Sequence, residues 1–248
     1  MTGVLIVTGG SRGIGAAVCE LAARQGWDVA VNYRNDAEAA ADVVARCEMA
    51  GRRAVAVQGD VAEETDVLRL FAETADTLGA PSGLINNAGI AAELARLDEY
   101  SAERIQRMMA VNVVGPFLCA REAVKVMSTR HGGSGGVIVN VGSAASYLGN
   151  PNEFIDYAAS KGAIDTLTIG LSKEVATEVI RVNCVRPGLI DTEIHAAAGS
   201  PERIERLAPN VPMQRGGKVE EVAELVMWLA SPAASYVTGS LVNVSGGR

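Results

Sequence analysis

A glycine-rich turn near the start of the chain constrains the fold more than any other stretch of this sequence. Residues 4–7 are apolar and predict a short strand that is buried on both faces. Residues 8–15 (TGGSRGIG) come next, and a helical pattern begins directly after them. The glycines permit a tight turn, and they let a pyrophosphate approach the free amides at the helix N-terminus. An ordinary turn is the alternative, but the strand before it and the helix after it favour a nucleotide site.

Composition and charge narrow the class of protein. The chain has 248 residues, 48% of them hydrophobic, which is enough for a substantial core. Its formal net charge is -7 without a basic run, which argues against a nucleic-acid partner. The four cysteines are scattered, so we expect small core residues and neither a zinc site nor a disulfide framework. A signal peptide and apolar runs of membrane-spanning length are lacking, so we expect a soluble cytoplasmic protein without a membrane partner.

Strand and helix patterns alternate along the rest of the chain. Six further strands are predicted, at 28–33, 54–58, 83–85, 137–141, 181–185 and 240–244. Helical patterns separate them, and the one over about 102–127 contains Gly115-Pro116, where we expect a kink or local irregularity. Neither a repeat nor a break in composition divides the chain. This alternation predicts an α/β fold, a single doubly wound Rossmann domain over residues 1–248 with a seven-stranded parallel sheet and helices on both faces.

The end of the second strand bears on the choice of dinucleotide. In such folds an acidic residue there binds the ribose hydroxyls, whereas a basic residue accommodates a 2′-phosphate. Asn32 and Tyr33 end this strand and Arg34 comes directly after them, while Arg12 lies in the glycine-rich turn. Two guanidinium groups suit a phosphate because arginine can bind it bidentately. The sequence therefore favours NADP(H); two solvated arginines are the alternative, and the nearby Asp36 leaves NAD(H) open.

Polar residues after the third and fourth strands have alternative interpretations. Asp60 could accept a hydrogen bond from an adenine amino group, or it could cap the helix that begins near Glu63. The pair 86–87 (NN) could bridge neighbouring strands, and Gly89 leaves room for a cofactor. Asn112 lies in an apolar run, where a buried polar side chain needs a partner, so it is either a structural bridge or part of a proton path.

Tyr157 and Lys161 are candidates for proton transfer. They are four residues apart in a segment with helical periodicity, 156–176, so they share one face of a helix. An ammonium group beside a phenol favours the phenolate, which would make the tyrosine a usable general acid or base. The alternative is a packed tyrosine beside a solvated lysine. Ser143 lies just after the fifth strand, at the sheet edge where ligands bind, so it could hydrogen-bond a substrate oxygen; Ser146 is a further candidate.

A long segment without a strand pattern, 188–217, precedes the last predicted helix. It contains three prolines, and irregular segments of this length are usually functional, often as lids. Within it His195 and Met213 could touch a substrate, or they could simply be exposed. We therefore expect a substrate lid over about 188–217.

Taken together, these motifs resemble those of the short-chain dehydrogenase/reductase family over essentially the whole chain. The family pattern is T-G-x-x-x-G-x-G, N-N-A-G, an asparagine, a serine and Y-x-x-x-K, which correspond here to 8–15, 86–89, Asn112, Ser143, Tyr157 and Lys161. The nearest resemblance is to bacterial members of the glucose-1-dehydrogenase and 3-oxoacyl-carrier-protein-reductase type. It implies NAD(P)-dependent hydride transfer between an alcohol and a ketone, and a homotetramer.

The resemblance also implies a role for each matching residue. Tyr157 would be the acid/base, and Lys161 would favour its phenolate and hold the nicotinamide ribose. Ser143 would orient the substrate oxygen, and Asn112 would support a water relay. Besides Tyr157 and Lys161, the residues implied at the cofactor are Thr8, Gly9, Ser11, Arg12, Gly13, Ile14, Gly15, Asn32, Tyr33, Arg34, Asp60, Val61, Asn87, Ala88, Gly89, Pro187, Gly188, Ile190 and Thr192.

Two departures from the family pattern bear on specificity and assembly. Ser143 and Tyr157 are 14 positions apart, whereas the usual interval is one shorter, so segment 147–156 must absorb an extra residue. The last strand is followed by Ser245 where many members have aspartate, and we expect this to affect assembly. Specificity is expected to lie in 91–100, 147–156 and the lid. Alternatives are an NAD-dependent sugar dehydrogenase of glucose type and a non-catalytic NADP-binding sensor.

Overall fold

The computed structural model describes residues 3–192, 200 and 202–248, and their strands form one seven-stranded sheet. The strands are β1 (Val4–Val7), β2 (Asp28–Tyr33), β3 (Ala54–Gln58), β4 (Gly83–Asn86), β5 (Gly136–Val141), β6 (Ile180–Pro187) and β7 (Leu241–Val244). Their order is β3-β2-β1-β4-β5-β6-β7, and all neighbouring pairs are parallel. The predicted α/β fold is confirmed, and each predicted strand agrees with an observed one to within two residues at either end.

Helices connect the strands and cover both faces of the sheet. They are α1 (Gly13–Arg24), α2 (Ala37–Met49), α3 (Glu64–Leu78), α4 (Ala102–Met109), α5 (Gly115–Met127), α6 (Ala145–Leu148), α7 (Ile155–Val175), α8 (Arg203–Leu207) and α9 (Val219–Ala230). In the described part of the chain, none of them combines the length and hydropathy that crossing a bilayer requires.

The side chains of β1 explain why this strand is apolar throughout. Leu5 and Val7 pack into a cluster formed with α1, α2 and α9. Val4 and Ile6 point to the opposite face and pack with α3 and α5. Successive side chains of a strand face opposite ways, so a strand with helices on both sides has no exposed position to fill with polar residues.

The order of the strands reverses beside β1, and this determines where the glycine-rich turn lies. Val7 is in register with Val31 of β2 on one side and with Ile85 of β4 on the other. The chain leaves β1 between the carboxyl ends of these two strands, with β2 leading outward in one direction and β4 in the other. Open parallel sheets bind their ligands at such a switch point. The fold thus places residues 8–15 at the expected ligand-binding edge.

The helix predicted over 102–127 is interrupted. We expected the irregularity at the Gly115-Pro116 pair, but the backbone widens into a π-turn one step earlier, at Ala110–Val114. Pro116 instead lies in the first turn of α5, where its missing N–H costs little. Gly115 lets α5 pack closely, because a Cβ there would lie 2.8 Å from the Val61 side chain. The widened turn carries Asn112 into the interior, where it is 1% exposed.

The expected lid is only partly irregular. An isolated bridge pairs Ile190 with Gly217 at its base, and between them lie helix α8 and a 3₁₀ turn at Ala208–Asn210. Met213 is 60% exposed, and its amide donates to the carbonyl oxygen of Gly246 near the C-terminus. His195 lies outside the described residues.

All four cysteines are buried, as the sequence predicted. Burial is the main cause that raises the pKa of Cys47 to about 11 and the pKa values of Cys119 and Cys184 to about 12. Burial also raises the pKa of Cys19 well above its ordinary value. These thiols stay protonated near neutral pH, so they serve packing rather than nucleophilic chemistry.

Candidate functional site

The turn at 8–15 brings two parts of its backbone so close together that only glycine fits at position 15. A Cβ on Gly15 would lie 2.2 Å from the carbonyl oxygen of Gly9 and 2.6 Å from Nδ2 of Asn87. Gly9 and Gly13 also have positive φ angles of 61° and 54°. The first intrahelical bond of α1 runs from Ala16 N to Arg12 O, so the preceding amides of this turn have no partner within the helix. Such a cradle suits a pyrophosphate.

The segment 86–89 is tied directly to this turn. Thr8 Oγ1 accepts hydrogen bonds from the amides of Asn87 and Ala88, each at 3.0 Å. Asn87 Nδ2 donates to the carbonyl oxygens of Thr8 and Gly9, at 2.9 and 3.1 Å. Asn87 therefore holds the first turn against the end of β4, which is the bridging interpretation of this asparagine.

Asn86 acts as a structural bridge on the other side of β4. Its Nδ2 donates to Oδ1 of Asn140 on β5 at 3.0 Å, and Asn140 Nδ2 donates to Oγ1 of Thr168 on α7 at 2.9 Å. All three residues are buried. Buried polar groups need such partners, and the chain of bonds joins β4, β5 and α7 at the level of the site.

Arg34 lies at the end of β2, where the sequence placed a phosphate-binding group. Its Nε is 3.0 Å from Oδ2 of Asp60, and Arg107 Nη2 on α4 donates to the same oxygen at 2.6 Å. Asn32, two residues earlier on the strand, accepts from Gly9 N and donates to the carbonyl oxygen of Gly59. The ends of β1, β2 and β3 are thereby joined around one ion cluster.

Asp60 does not cap helix α3, so that interpretation is wrong. The helix begins at Glu64 with Glu63 at its N-cap position, and Asp60 Oδ1 instead accepts from Ala62 N at 3.0 Å within a local turn. Asp60 lies three residues before Glu63, the N-cap residue of α3, and its Oδ2 binds Arg34 and Arg107 instead of the helix amides. Its predicted contact with adenine stays a prediction.

Tyr157 and Lys161 are brought together on one face of α7. The Lys161 Nζ lies 5.6 Å from the centroid of the Tyr157 ring. Lys161 is 5% exposed, and its Nζ donates to the carbonyl oxygen of Val141, the last residue of β5, at 2.8 Å. This bond fixes the ammonium group at the carboxyl edge of the sheet. A solvated lysine, the alternative interpretation, is therefore excluded by its burial.

Asn112 forms a structural bridge to the backbone of Ile90, which is one of the two roles predicted for it. Its Oδ1 accepts from Ile90 N at 2.8 Å and its Nδ2 donates to Ile90 O at 2.9 Å, as a neighbouring strand would. Nδ2 also lies 3.1 Å from Oγ of Ser160. A Cβ on Gly89 would be 3.4 Å from Asn112 Oδ1 and 3.5 Å from Lys161 Nζ. Gly89 thus keeps the space beside both polar groups open.

The two candidate serines lie after β5 at the same edge. Ser143 Oγ accepts from Ala145 N at 3.1 Å, which fixes the start of α6. Ser146 Oγ is buried and has no hydrogen-bond partner among the described residues. Among the described residues the Ser143 hydroxyl donates to no acceptor, so its hydrogen can serve another oxygen.

The end of β6 closes the site on the side of the first turn. Gly188 N donates to Val244 O, and a Cβ on Gly188 would lie 2.7 Å from Cα of Ser245. Further along, a Cβ on Gly13 would contact Cγ2 of Thr192 at 3.7 Å. The structure therefore brings Thr192 against the N-terminus of α1. The other two residues predicted on this stretch, Pro187 and Ile190, are buried.

Comparison with known proteins shows which family this chain belongs to. A family model described as enoyl-(acyl carrier protein) reductase matches residues 9–248. The uncharacterized oxidoreductase YgfF of Escherichia coli is 52% identical over 245 residues, which cover 99% of each chain. A solved double mutant of a Serratia marcescens short-chain dehydrogenase/reductase is 33% identical, with a TM-score of 0.91 over 99% of this chain and 97% of that one. The chain is a short-chain dehydrogenase/reductase.

Membership of this family makes the protein an oxidoreductase that acts on CH–OH or C=O groups. The resemblance inferred from the motifs is confirmed. A further solved relative is a blue fluorescent protein from a metagenomic library, determined in complex with NADPH. It is 35% identical to this short-chain dehydrogenase/reductase, with a TM-score of 0.90 over 99% of this chain and 97% of its own.

Sequence reasoning missed two ion pairs formed by residues that closely precede Tyr157 in the chain. Arg104 of α4 donates to both carboxylate oxygens of buried Asp156, at 2.8 and 3.2 Å, and this bond is the main cause that raises the pKa of Arg104. Arg203 of α8 binds Glu153 in the same bidentate way and lowers the pKa of that carboxyl group. The partners are about 50 positions apart, so no spacing rule could have found them.

Replacing Gly15 by alanine should impair both folding and dinucleotide binding. Its Cβ would collide with backbone at Gly9, and overpacking of this kind costs about 1–3 kcal/mol. Thermal unfolding and fluorescence titration with NADPH would measure the two losses.

Gly170→Ala is the matched control, since a Cβ there meets nothing within 4 Å. It replaces a helix-interior glycine of α7 and should stabilise by about 1 kcal/mol without changing NADPH affinity. Wild-type stability and NADPH affinity in Gly15→Ala would contradict the predicted clash between the new Cβ and the carbonyl oxygen of Gly9.

Proposed function

We propose that this short-chain dehydrogenase/reductase is an NADP(H)-dependent enzyme that interconverts a carbonyl compound and a secondary alcohol, with Tyr157 as its acid/base. The observation that carries the proposal is the position of the Lys161 ammonium group. It lies beside the Tyr157 ring and 3.5 Å from the Cβ position of Gly89, at the carboxyl edge of the sheet. A phenol ring and an ammonium group thus lie together at the carboxyl edge of the sheet, where open parallel sheets bind their ligands.

The residues present fit a dinucleotide. The glycines within residues 9–15 add no side chains of their own to the first turn, and a Cβ on Gly89 would lie 3.4 and 3.5 Å from Asn112 Oδ1 and Lys161 Nζ. When bound, the nicotinamide ring supplies or accepts a hydride. We propose that the dinucleotide contacts the residues that the family resemblance implies for it. Most of them follow the ends of β1 to β4 and β6, at the carboxyl edge of the sheet.

The protein's own residues would handle the proton. Tyr157 donates it to the carbonyl oxygen during reduction, and Ser143 holds that oxygen by a second hydrogen bond. Lys161, anchored to Val141 O, places its positive charge beside the oxygen that loses the proton. Asn112 keeps Ile90 and the adjacent backbone in place, and in our proposal it also orders water next to Lys161. General acid–base assistance of this kind contributes about 10²–10⁴-fold to the rate.

Preference for NADP(H) over NAD(H) rests on Arg34. Its ion pair with Asp60 holds a guanidinium group at the end of β2, where a 2′-phosphate would lie. Arg12, at the N-cap of α1, is the second cation we assign to this phosphate. The NADPH complex of the metagenomic relative supports the assignment by analogy. An NAD-dependent sugar dehydrogenase is the alternative within the family.

Domain organisation, assembly and location complete the proposal. We infer a single domain, a substrate lid within 188–217, assembly as a homotetramer and a cytoplasmic location. The exposed apolar side chains of Ile105, Val114 and Phe117, on and between α4 and α5, support association through these helices.

A substrate screen tests the proposal. Purified protein should oxidise NADPH in the presence of at least one member of a panel of ketones, aldehydes, 3-oxoacyl thioesters and keto sugars. The reverse reaction should be assayed with secondary alcohols and glucose, using NADP⁺ and NAD⁺ in parallel. Tight NADPH binding without turnover across both panels would favour a sensor, and turnover with NAD(H) alone would favour the sugar dehydrogenase.

A further inference from the structure

Arg203 is a buried cation in the segment after β6. It belongs to α8, its residue is 4% exposed, and both of its Nη atoms donate to Glu153, at 2.8 and 2.6 Å. Glu153 lies two residues before helix α7, which carries Tyr157. A bidentate arginine–carboxylate pair has a defined geometry as well as a strong attraction. The pair therefore fixes α8 against the segment that leads into the Tyr157 helix.

The same guanidinium group reaches Tyr157 through one aromatic ring. Arg203 Cζ lies 4.8 Å from the centroid of the Phe154 ring. The Phe154 and Tyr157 rings then meet edge to face, with centroids 5.6 Å apart and planes at 87°. Phe154 is 7% exposed, so its ring has little freedom to move independently of either neighbour. Arg203, Phe154 and Tyr157 therefore form a continuous row of contacts, a cation–π contact followed by an edge-to-face aromatic pair.

The segment before α7 needs such external contacts. Asn150 and Asn152 have positive φ angles of 45° and 60°, a region that non-glycine residues adopt at some cost. The segment also contains the additional residue between Ser143 and Tyr157. On the α4 side, the first residues of α7 are held by the Arg104–Asp156 pair and by the hydroxyl of Tyr100, which accepts from Ile155 N at 3.0 Å. On the side of α8, the pair of Arg203 with Glu153 supplies the attachment.

We propose that Arg203 and Glu153 are positioning residues for the acid/base tyrosine. The inference rests on the proposed function of Tyr157 and adds that the orientation of its ring depends on α8. Loss of the pair releases Phe154, and the phenol then moves away from the position where it meets the substrate oxygen. A displacement of about 1 Å at a reacting group can lower a rate by about 10²-fold.

Kinetics with a verified carbonyl substrate test the proposal. Arg203→Met should lower kcat by up to about 10²-fold and leave the NADPH dissociation constant unchanged. Arg203→Lys should recover only part of kcat, because an ammonium group cannot form the bidentate pair. Arg206→Met is the matched control. Arg206 lies 3.9 Å from the same carboxylate with a side chain 50% exposed, so its loss should leave kcat unchanged.

A double variant guards against simple misfolding. Arg203→Met leaves the partly buried Glu153 carboxylate with only the exposed Arg206, 3.9 Å away, as an ionic partner among the described residues, whereas Arg203→Met with Glu153→Gln removes both charges. The double variant should be at least as stable as Arg203→Met yet keep the low kcat. Wild-type kcat in the double variant, or an equal loss in Arg206→Met, would overturn the positioning role.

A spectroscopic readout separates this inference from the proposed function. The chain has five tyrosines, so protein labelled with ¹³C at tyrosine Cζ gives few signals, and Tyr157→Phe identifies the one of interest. That signal should shift in Arg203→Met and in the double variant but not in Arg206→Met. An unshifted signal refutes the positioning role. A shifted signal in a protein that turns over nothing refutes only the proposed function.

Discussion

Replacing Tyr157 by phenylalanine should lower kcat by about 10²–10⁴-fold, the usual contribution of a general acid, and leave NADPH binding essentially unchanged. The substitution removes one oxygen and keeps the ring that packs against Phe154, so neither the fold nor the glycine cradle is disturbed. Stopped-flow measurement of NADPH oxidation under single-turnover conditions would place the loss in the chemical step. Fluorescence titration would give the affinity.

The control for this substitution is Tyr236→Phe. Tyr236 is fully exposed, so the loss of its hydroxyl tests the generic effect of the substitution. It should leave both turnover and binding at wild-type values. If Tyr157→Phe retained the wild-type rate on a verified substrate, another group would have to supply the proton and the assignment of the acid/base would be wrong.

Replacing Arg34 by aspartate should reverse the cofactor preference. Hydrogen bonds to a charged group contribute about 1.5–3 kcal/mol, so losing one to the 2′-phosphate weakens NADPH binding by roughly tenfold or more. The new carboxylate also repels the phosphate and could accept from the ribose hydroxyls of NADH. Dissociation constants for NADPH and NADH, measured at the same ionic strength, give the ratio directly.

Two further variants separate the causes in this experiment. Arg34→Gln removes the cation without adding a negative charge near Asp60, so it should weaken NADPH binding and leave NADH binding unchanged. Arg46→Asp reverses a charge on α2 that pairs with Glu20, away from the strand ends, and should leave the ratio unchanged. An Arg34→Asp protein that still prefers NADPH would place the 2′-phosphate elsewhere.

The parts of this protein that could be predicted from its sequence are those set by local pattern. The strands are short apolar runs, and the Tyr157–Lys161 pair is a direct result of helical spacing. The close contact of Gly15 with Gly9 is likewise contained within one motif. In each case the residues that determine the geometry lie within about two helical turns of each other.

The parts that could not be predicted depend on partners far apart in the chain. Asp60 could cap a helix or bind other groups, and only the fold shows that Arg107 reaches it from α4. The widened turn carries Asn112, whose side chain pairs with the backbone of Ile90, 22 residues earlier. No periodicity encodes such a contact, since many surface arginines and interior asparagines have the same local context.

The pairing between Asn112 and Ile90 has a consequence for how related enzymes could diverge. Because a helix side chain satisfies both the amide and the carbonyl of Ile90, the backbone leaving β4 is held at that residue whatever the sequence of the next segment. Residues 91–99 can then change in composition without displacing Gly89 or the ammonium group beside it, as long as Tyr100 keeps its hydrogen bond from Ile155 N. New substrates could be accommodated by altering these residues alone, while the residues proposed for proton transfer stay in place.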